Sequence, residues 1–257
     1  MVRQREPVVA LRSPVRVGTL GSPTLPMHPP ADRGNVMVTL CWAAKGGSGT
    51  TVVAAALALS SPRPSLLVDL DGEIPAILGV PEPDRPGVAE WLGSDASADH
   101  LADLLIDIGP RNWLLPWRAS TFDGRLDGAH PQSERWAALG DWLHDWSSQW
   151  GCDVTVDVGT RNPPEPLAMR ADRSLLITRP CYLSLRRAVR SPVRPTGVIL
   201  VDEPGHGLAQ RDIEHALGVP VEAVVSFDPT VSRAVDAGLL ASRLPRMITR
   251  ALRQVAA

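Results

Sequence analysis

The clearest structural pattern of the chain is residues 36–60, VMVTLCWAAKGGSGTTVVAAALALS. An apolar, β-branched run leads into a glycine-rich turn, and an alanine- and leucine-rich run follows it. This order predicts a buried strand, a tight loop and a helix. In such a loop the backbone N–H groups surround a phosphate, and the helix adds the positive end of its dipole. The stretch therefore predicts a phosphate-binding site.

The residue types within the loop support this prediction. Glycines at three positions let the backbone approach a phosphate without an intervening Cβ. Lys45 is the only lysine in the chain, against 25 arginines. A compact ammonium and a broad guanidinium are not interchangeable at a crowded phosphate site, so a lysine kept here indicates phosphate contact. We expect nucleotide to be bound by Lys45, Gly46, Gly47, Ser48, Gly49, Thr50 and Thr51.

The loop resembles the deviant Walker A motif of the MinD/ParA family, K-G-G-x-G-K-[ST]. The early signature lysine is Lys45, and Thr50 replaces the later lysine. The resemblance implies a nucleotide-sandwich dimer in which Lys45 reaches the phosphates of the partner subunit, with ATP and Mg²⁺ as cofactors. It also implies that the Thr51 hydroxyl binds the magnesium ion. Loss of the later lysine removes a charge contact to the β- and γ-phosphates, which predicts slow hydrolysis more than loss of binding.

Acidic residues end two further predicted strands, at Asp69-Leu70-Asp71 and at Asp157-Val158-Gly159. Alternate residues of a strand point the same way, so Asp69 and Asp71 are expected to serve one site. A carboxylate at a phosphate site normally holds Mg²⁺, directly or through water. The resemblance implies that Asp71 orients the attacking water and that Asp157 faces the metal. We assign Thr51, Asp69 and Asp157 to the metal site, and Lys45 and Asp71 to catalysis.

The resemblance extends to the CpaE/TadZ branch of the family, which belongs to Flp-type pilus and secretion systems. It covers most of residues 36–250 and includes Thr178-Arg179-Pro180 and Asp228-Pro229. After the predicted strand 197–201 the family usually has an adenine-binding Asn, and this chain has Asp202. A carboxylate accepts hydrogen bonds without donating, so Asp202 suits guanine better. ATP is the expected nucleotide and GTP the alternative, with Asp202 and Pro229 near the base.

Composition limits the class of protein. A hydrophobic content of 44% indicates a globular chain. No apolar run reaches the ~20 residues of a membrane span, and the N-terminus lacks a signal-peptide core, so a cytoplasmic location is expected. The three cysteines, Cys41, Cys152 and Cys181, show neither metal-ligand spacing nor a disulfide framework.

Charge is distributed unevenly along the chain. Residues 1–64, 65–157 and 158–257 carry net charges of +5, −12 and +5. The basic last third would allow contact with non-specific DNA or anionic lipid. An arginine-rich solvated surface explains the same pattern equally well.

The chain divides into two parts. Residues 1–35, rich in proline, arginine, serine and glycine, predict a disordered arm, and Met37 would allow a later translation start. Residues 36–257 predict one nucleotide-binding domain. After the opening stretch, strands are predicted at 65–71, 113–116, 153–158, 175–178, 197–201 and 221–226, helices at 87–92, 98–106, 133–150, 184–190, 210–217 and 231–241, and a loop at 72–86. This alternation predicts an α/β fold with three layers, a mostly parallel twisted sheet with helices on both faces.

The C-terminus predicts one more helix. Leu244, Met247, Ile248, Ala251, Leu252 and Val255 fall on one apolar helical face, with arginines largely off it. The sequence favours a helix docked on the sheet, because the apolar face is short and lacks bulky aromatic residues. The alternative is a basic amphipathic helix lying on the inner face of the membrane.

Two functions from different classes fit these residues. The first is a dimerising ATPase that positions a pilus or secretion machine, a septum or a chromosome, with a secretion or pilus ATPase as a further partner. The second is a non-enzymatic scaffold that has lost catalysis. Thr50 separates them, because the missing lysine weakens the case for turnover more than the case for binding.

Overall fold

The computed structural model describes residues 36–118, 130–205, 207–242, 244 and 246–256; the predicted arm, residues 1–35, lies outside the described residues. Within these ranges, eight strands form one sheet: β1 (Val38–Trp42), β2 (Ser65–Asp69), β3 (Ile106–Gly109), β4 (Asn112–Leu115), β5 (Asp153–Gly159), β6 (Arg173–Thr178), β7 (Gly197–Asp202) and β8 (Val221–Ser226). The strand order is β3-β4-β2-β5-β1-β6-β7-β8. β3 is antiparallel to β4, and all other neighbours are parallel.

Helices cover both faces of the sheet. They are α1 (Thr50–Ser60), α2 (Ile74–Leu78), α3 (Val88–Leu92), α4 (His130–Trp150), α5 (Glu165–Ala168), α6 (Tyr182–Val189), α7 (Gln210–Leu217), α8 (Pro229–Asp236) and α9 (Arg246–Leu252), with a 3₁₀ helix at Ala98–Leu104. One core lies between the sheet and α3 to α7, and a second lies between the sheet and α1, α2, α8 and α9. The predicted three-layer α/β architecture is therefore confirmed.

The opening stretch forms the centre of the molecule. β1 is buried along its whole length between β5 and β6. From β1 the chain passes beyond β5 to form β2, and from β5 it passes beyond β1 to form β6, so these two connections run in opposite directions along the sheet. Such a reversal of strand order opens a crevice at the carboxyl edge of the sheet, and the loop after β1 lies there.

The tryptophan side chains of α4 form a stripe that belongs to the core. Trp136, Trp142 and Trp146 are all buried against the sheet. The ring of Trp146 meets Trp113 of β4 edge to face, with 5.7 Å between ring centroids. This geometry is favourable for aromatic pairs, so the stripe anchors α4 to the β4 side of the sheet.

Four predicted elements differ from the structure, and one of them, the predicted helix 231–241, is α8 and ends at Asp236. The predicted helix 98–106 is a 3₁₀ turn that ends at Leu104, and the chain continues as β3 because Ile106 pairs with Leu114 of β4. The predicted loop 72–86 contains α2. The predicted strand 65–71 ends at Asp69, so Leu70 and Asp71 already belong to the following turn.

The C-terminal helix α9 is docked, as the sequence favours. Ile248, Leu252 and Val255 are buried against β8 and α1. Arg173 of β6 donates a hydrogen bond to the Val255 carbonyl at 2.7 Å, which fixes the end of the chain to the sheet. None of the helices in the described ranges is long and apolar enough to cross a bilayer.

Candidate functional site

The loop between β1 and α1 has the backbone shape of a phosphate cradle. Gly47 and Gly49 adopt φ values of +76° and +86°, a left-handed region that favours glycine. The Ser48 hydroxyl donates to the Lys45 carbonyl at 2.8 Å and closes the turn. The amides of residues 46–49 donate no hydrogen bond to another described residue. These donors, at the N-terminus of α1, are available to an anion.

The end of β5 lies directly beside this loop. The Ala43 amide donates to the Gly159 carbonyl at 2.9 Å. A Cβ placed on Gly46 would be 3.9 Å from the Thr160 side chain, which is ordinary van der Waals contact. The segment that begins at Gly159 therefore forms one wall of the phosphate cradle.

Asp69 organises the turn after β2. Its Oδ1 accepts from the amides of Asp71 and Gly72, at 3.1 and 2.7 Å, and its Oδ2 accepts from the Ile74 amide at 3.2 Å. Burial raises the pKa of Asp69 to about 6, and these amides oppose the rise. Both carboxylate oxygens are thus engaged with the backbone, which explains why the turn runs directly into α2.

Asp157 is the neighbour of Asp69 on the adjacent strand and has a different environment. The register of β2 and β5 sets the two residues opposite each other. Asp157 Oδ1 accepts from the Gly159 amide at 3.0 Å, whereas the buried Oδ2 accepts no hydrogen bond within the described residues. Burial, followed by the charge of Asp69, raises the pKa of Asp157 to about 7, and the nearby Thr51 hydroxyl and the Gly159 amide oppose the rise.

This arrangement fits a magnesium ion that is held together with phosphate. A buried acceptor without a partner costs free energy, and a cation would satisfy it. Asp157 Oδ2 and the Thr51 hydroxyl are both hard oxygen ligands. No cluster of three or more His, Cys, Asp or Glu side chains able to hold a metal alone occurs in the described part of the chain. Mg²⁺ typically takes one or two protein oxygens and completes its shell with phosphates and water, so this limited set suits it.

Asp71 reaches the site from the turn rather than from the strand. The expectation that Asp69 and Asp71 share a strand face is wrong, because β2 ends at Asp69. The Asp71 carboxyl instead packs on Gly159, where a Cβ would overlap it. Arg161 Nη2 lies 3.7 Å from Asp71 Oδ1. Burial raises the pKa of Asp71, and the charge of Arg161 opposes the rise.

Lys45 is half-buried at the mouth of the loop. Its Nζ lies 3.5 Å from the Gly46 carbonyl, a long contact that an anion could displace. The loop also neighbours the start of α6, because β6 pairs with β1 on the side opposite β5. The pKa of Cys181 there is lowered, first by the Ser184 amide and also by the charge of Lys45. The β6–α6 junction therefore borders the loop on the side opposite β5.

Asp202 and Pro229 lie farther along the same edge of the sheet. Asp202 ends β7, and its carbonyl accepts from the Phe227 amide at 2.7 Å. Pro229 begins α8, directly after Asp228, whose carboxylate caps the Thr230 amide at 2.7 Å. Both residues are exposed. β7 is two strands from β1, so Asp202 lies about 10 Å from the phosphate loop along the sheet.

The structure adds two arginines that have no predicted role. Arg161 follows β5 and pairs with Asp71. Arg179 follows β6, contacts Glu203 at 2.8 Å and lies over the Phe227 ring at 5.3 Å. The Arg179 Nε is buried without a hydrogen-bond partner among the described residues. Only the position of each arginine just beyond a strand end could have drawn attention to it.

No protein-family model and no curated protein matches the sequence. Solved structures do match the fold. The chain is 20% identical to a ParA family ATPase from Chlorobium tepidum, with a TM-score of 0.68 over 86% of this chain and 99% of that one. The chain is 19% identical to a chain of the MinC:MinD cell division protein complex from Aquifex aeolicus, with a TM-score of 0.67 over 86% of this chain and 94% of that one.

The septum site-determining protein MinD of Pyrococcus horikoshii, solved with Mg-ADP, is 18% identical, with a TM-score of 0.66 over 86% of this chain and 95% of that one. With sequence identities this low, the structural similarity establishes the fold alone. The chain therefore has the fold of the MinD- and ParA-type P-loop ATPases.

Proposed function

We propose that the chain is a deviant Walker A ATPase that binds ATP and Mg²⁺ on the loop after β1. One observation carries the proposal. Among the described residues, neither the loop amides before α1 nor the buried Asp157 Oδ2 on the adjacent strand β5 has a hydrogen-bond partner. A group that supplies both phosphate oxygens and a divalent cation would satisfy both at once. A nucleotide with magnesium is such a group, and the MinD structure from Pyrococcus horikoshii holds one.

In this proposal each residue has a defined role. The amides of Gly46 to Thr51 surround the phosphates, and the Thr51 hydroxyl and Asp157 hold the magnesium ion. When bound, Mg²⁺ neutralises charge on the phosphates and orients them. Asp69 contributes mainly by building the turn, because its oxygens are already engaged with amides. Asp202 and Pro229 would border the base.

Hydrolysis would depend on Asp71. A carboxylate at this position can accept a hydrogen bond from water and orient it toward the terminal phosphate. Asp71 is only partly exposed and is held against Gly159, so its position is restricted. Thr50 stands where the related motif has a lysine, which removes a charge from the site of developing negative charge. We therefore infer slow turnover.

The cellular role in this proposal is positioning. Two copies would enclose nucleotide, with each Lys45 reaching the phosphates of the partner, and hydrolysis would release the dimer. Similarity to the CpaE/TadZ branch supports service to a pilus or secretion machine, with a secretion or pilus ATPase as partner, while placement of a septum or chromosome fits the fold equally well. We propose a cytoplasmic location, with contact to the inner membrane face or to DNA through the basic last third of the chain. The arm of residues 1–35 would lie outside the nucleotide-binding domain.

The second candidate is a scaffold that binds nucleotide without turning it over. The observation that favours it is Thr50 itself, which is 5% exposed and leaves the loop with one cation. A turnover assay distinguishes the two candidates. Phosphate release that disappears in Asp71→Asn identifies an ATPase, and bound ATP that persists without release identifies a scaffold.

Binding is tested by calorimetry with ATP and GTP, with and without Mg²⁺. We expect magnesium-dependent binding of ATP that is weakened in Lys45→Ala. Arg186→Ala, an exposed arginine on α6, is the control and should bind as the wild type does. Preference for GTP would support the hydrogen-bonding argument for Asp202. Absence of binding of either nucleotide at millimolar concentration would contradict the proposed site.

A further inference from the structure

We propose that Arg161 is the second cation of the phosphate site and takes the place of the lysine missing at position 50. This inference rests on the proposed function and deepens it, because it assigns a residue that distinguishes ATP from ADP. It follows from three features: a loop with one cation, the path of the chain after β5, and an ion pair at its end.

The loop itself offers a single side-chain charge. Between Lys45 and Thr51 every other residue is glycine, serine or threonine. A triphosphate with one magnesium ion retains negative charge that a single ammonium does not neutralise. Since the chain uses arginine for all of its other basic side chains apart from histidine, a second cation from elsewhere would be an arginine.

The chain after β5 brings such an arginine to the cradle. Gly159 is hydrogen-bonded to Ala43 at the start of the loop, and Thr160 lies against Gly46 within it. Arg161 is the next residue. Its side chain is 38% exposed and reaches back over this wall, with Nη2 3.7 Å from Asp71 Oδ1.

The pair with Asp71 holds the guanidinium at the end of the site where the terminal phosphate would lie. Asp71 is the residue that the proposed function assigns to the attacking water. A cation next to it would therefore meet the γ-phosphate, which ADP lacks. A guanidinium binds phosphate through two parallel hydrogen bonds, so a phosphate can compete with the Asp71 carboxylate, whose Oδ1 lies 3.7 Å from Nη2. Movement of Arg161 to the phosphate would release Asp71 to orient water.

Fluorescent ATP and ADP analogues test the assignment. With Mg²⁺ present, Arg161→Gln should lose ~10-fold in affinity for the ATP analogue and change by less than ~2-fold for the ADP analogue, as expected for one lost contact to the terminal phosphate. Arg63→Gln is the matched control. Arg63 also pairs with an aspartate, Asp153, at 3.5 Å and is 32% exposed, but it lies at the opposite edge of the sheet.

Two further variants separate a phosphate contact from a structural ion pair. Asp71→Asn removes the same pair from the other side. If the pair is merely structural, both variants weaken both nucleotides alike, and the proposal is wrong. If Arg161 contacts the γ-phosphate, only Arg161→Gln loses the preference for ATP. If Arg161 compensates for the missing lysine, Thr50→Lys should increase the preference for ATP over ADP more in Arg161→Gln than in the wild type. Equal increases in the two backgrounds would refute compensation.

A measurement on the wild-type protein keeps the test independent of variant folding. Phenylglyoxal modifies arginine, and mass spectrometry locates the modified residue. Mg-ATP should slow modification of Arg161 more than Mg-ADP does, with the rate at Arg63 unchanged. Equal rates at Arg161 with both nucleotides would overturn the inference. A wild type that binds neither nucleotide would instead overturn the proposed function, and this inference with it.

Discussion

Asp69 and Asp157 are equivalent in register but differ in what their oxygens contact. Asp69 uses both oxygens to hold three amides of the turn, whereas one buried oxygen of Asp157 has no hydrogen-bond partner among the described residues. In the proposed site, a carboxylate that holds backbone amides serves mainly to build the turn, and a buried oxygen without a donor favours a bound cation. The sequence alone treats the two residues alike, because each follows an apolar run near the carboxyl end of a predicted strand.

This difference leads to a prediction for Asp157→Asn. The carboxyl has a pKa of 3.8 when unperturbed and about 7 in the fold. Between these values the folded state holds a proton that the unfolded state releases, so wild-type stability falls as pH rises through this range. The amide variant avoids the buried charge. We expect its melting temperature to exceed that of the wild type at pH 8 and the gap to close toward pH 4.

Thermal melts followed by circular dichroism across pH 4–8 check this expectation. Asp153→Asn is the control, because Asp153 lies at the other end of β5 and pairs with Arg63 and Ser61. It should not gain stability at pH 8. A difference between Asp157→Asn and the wild type that is constant with pH would show that ionisation of Asp157 is not responsible.

Gly159 supports a second prediction at the residue scale. It has φ of +71°, and a Cβ there would overlap the Asp71 carboxyl. Gly218 has the same φ, but a Cβ on it would contact nothing within 4 Å. Gly218→Ala should therefore cost only the left-handed backbone strain, ~1–2 kcal/mol.

Gly159→Ala should cost that strain and also displace Asp71. We expect a larger loss of unfolding free energy in urea, and a loss of nucleotide turnover that Gly218→Ala does not show. Equal destabilisation by the two variants, with turnover intact in both, would mean that Asp71 can leave Gly159 without consequence.

At the scale of elements, the long periodic segments were predictable and the short ones were not. α4, of 21 residues, matches the predicted helix 133–150 except in its first turn. α2 and α5 have five and four residues and begin with proline-containing turns, which carry no periodic signal. α2 forms because Asp69 caps its first turn and Gly79 ends it in a left-handed conformation. These are tertiary and capping effects, which local sequence patterns describe poorly.

The terminal helix α9 gives a prediction at this scale. Ile248 and Leu252 are buried against α1 and β8, so changing either to serine should remove ~2 kcal/mol or more of stability, as for other buried aliphatic residues. Arg250→Ser is the control on the exposed face of the same helix and should have little effect. Urea unfolding measures all three.

The opposite result would identify a membrane helix. In that case the serine variants would unfold like the wild type but would no longer sediment with anionic liposomes. Deletion of residues 244–257 would then leave the fold intact and abolish liposome binding.

In the whole molecule, the sequence segments on the two sides of β1 carry net charges of opposite sign. Segment 65–157, with a net charge of −12, contributes β2 to β5 on one side of β1. Segment 158–257, with +5, contributes β6 to β8 on the other. In the proposed contact with DNA or lipid, the β6–β8 side would face the anionic surface.

The sequence predicted the parallel sheet and the loop at its centre, because strand and helix patterns alternate and the glycine motif is local. It did not predict the strand order, since that depends on which buried strands pair. Arg161 was missed for the same reason. Its partner, Asp71, is distant in sequence, and only the pairing of β2 with β5 brings the two together.

The single lysine has a consequence outside nucleotide chemistry. Enzymes that acetylate, methylate or ubiquitinate proteins on lysine side chains have one target in this chain, and it lies in the phosphate loop. The next two residues, Gly46 and Gly47, are exposed, so a protease that cuts after lysine would separate residues 1–45 from 46–257 in one event. Marking this protein by any lysine-directed signal would therefore also alter its proposed phosphate site.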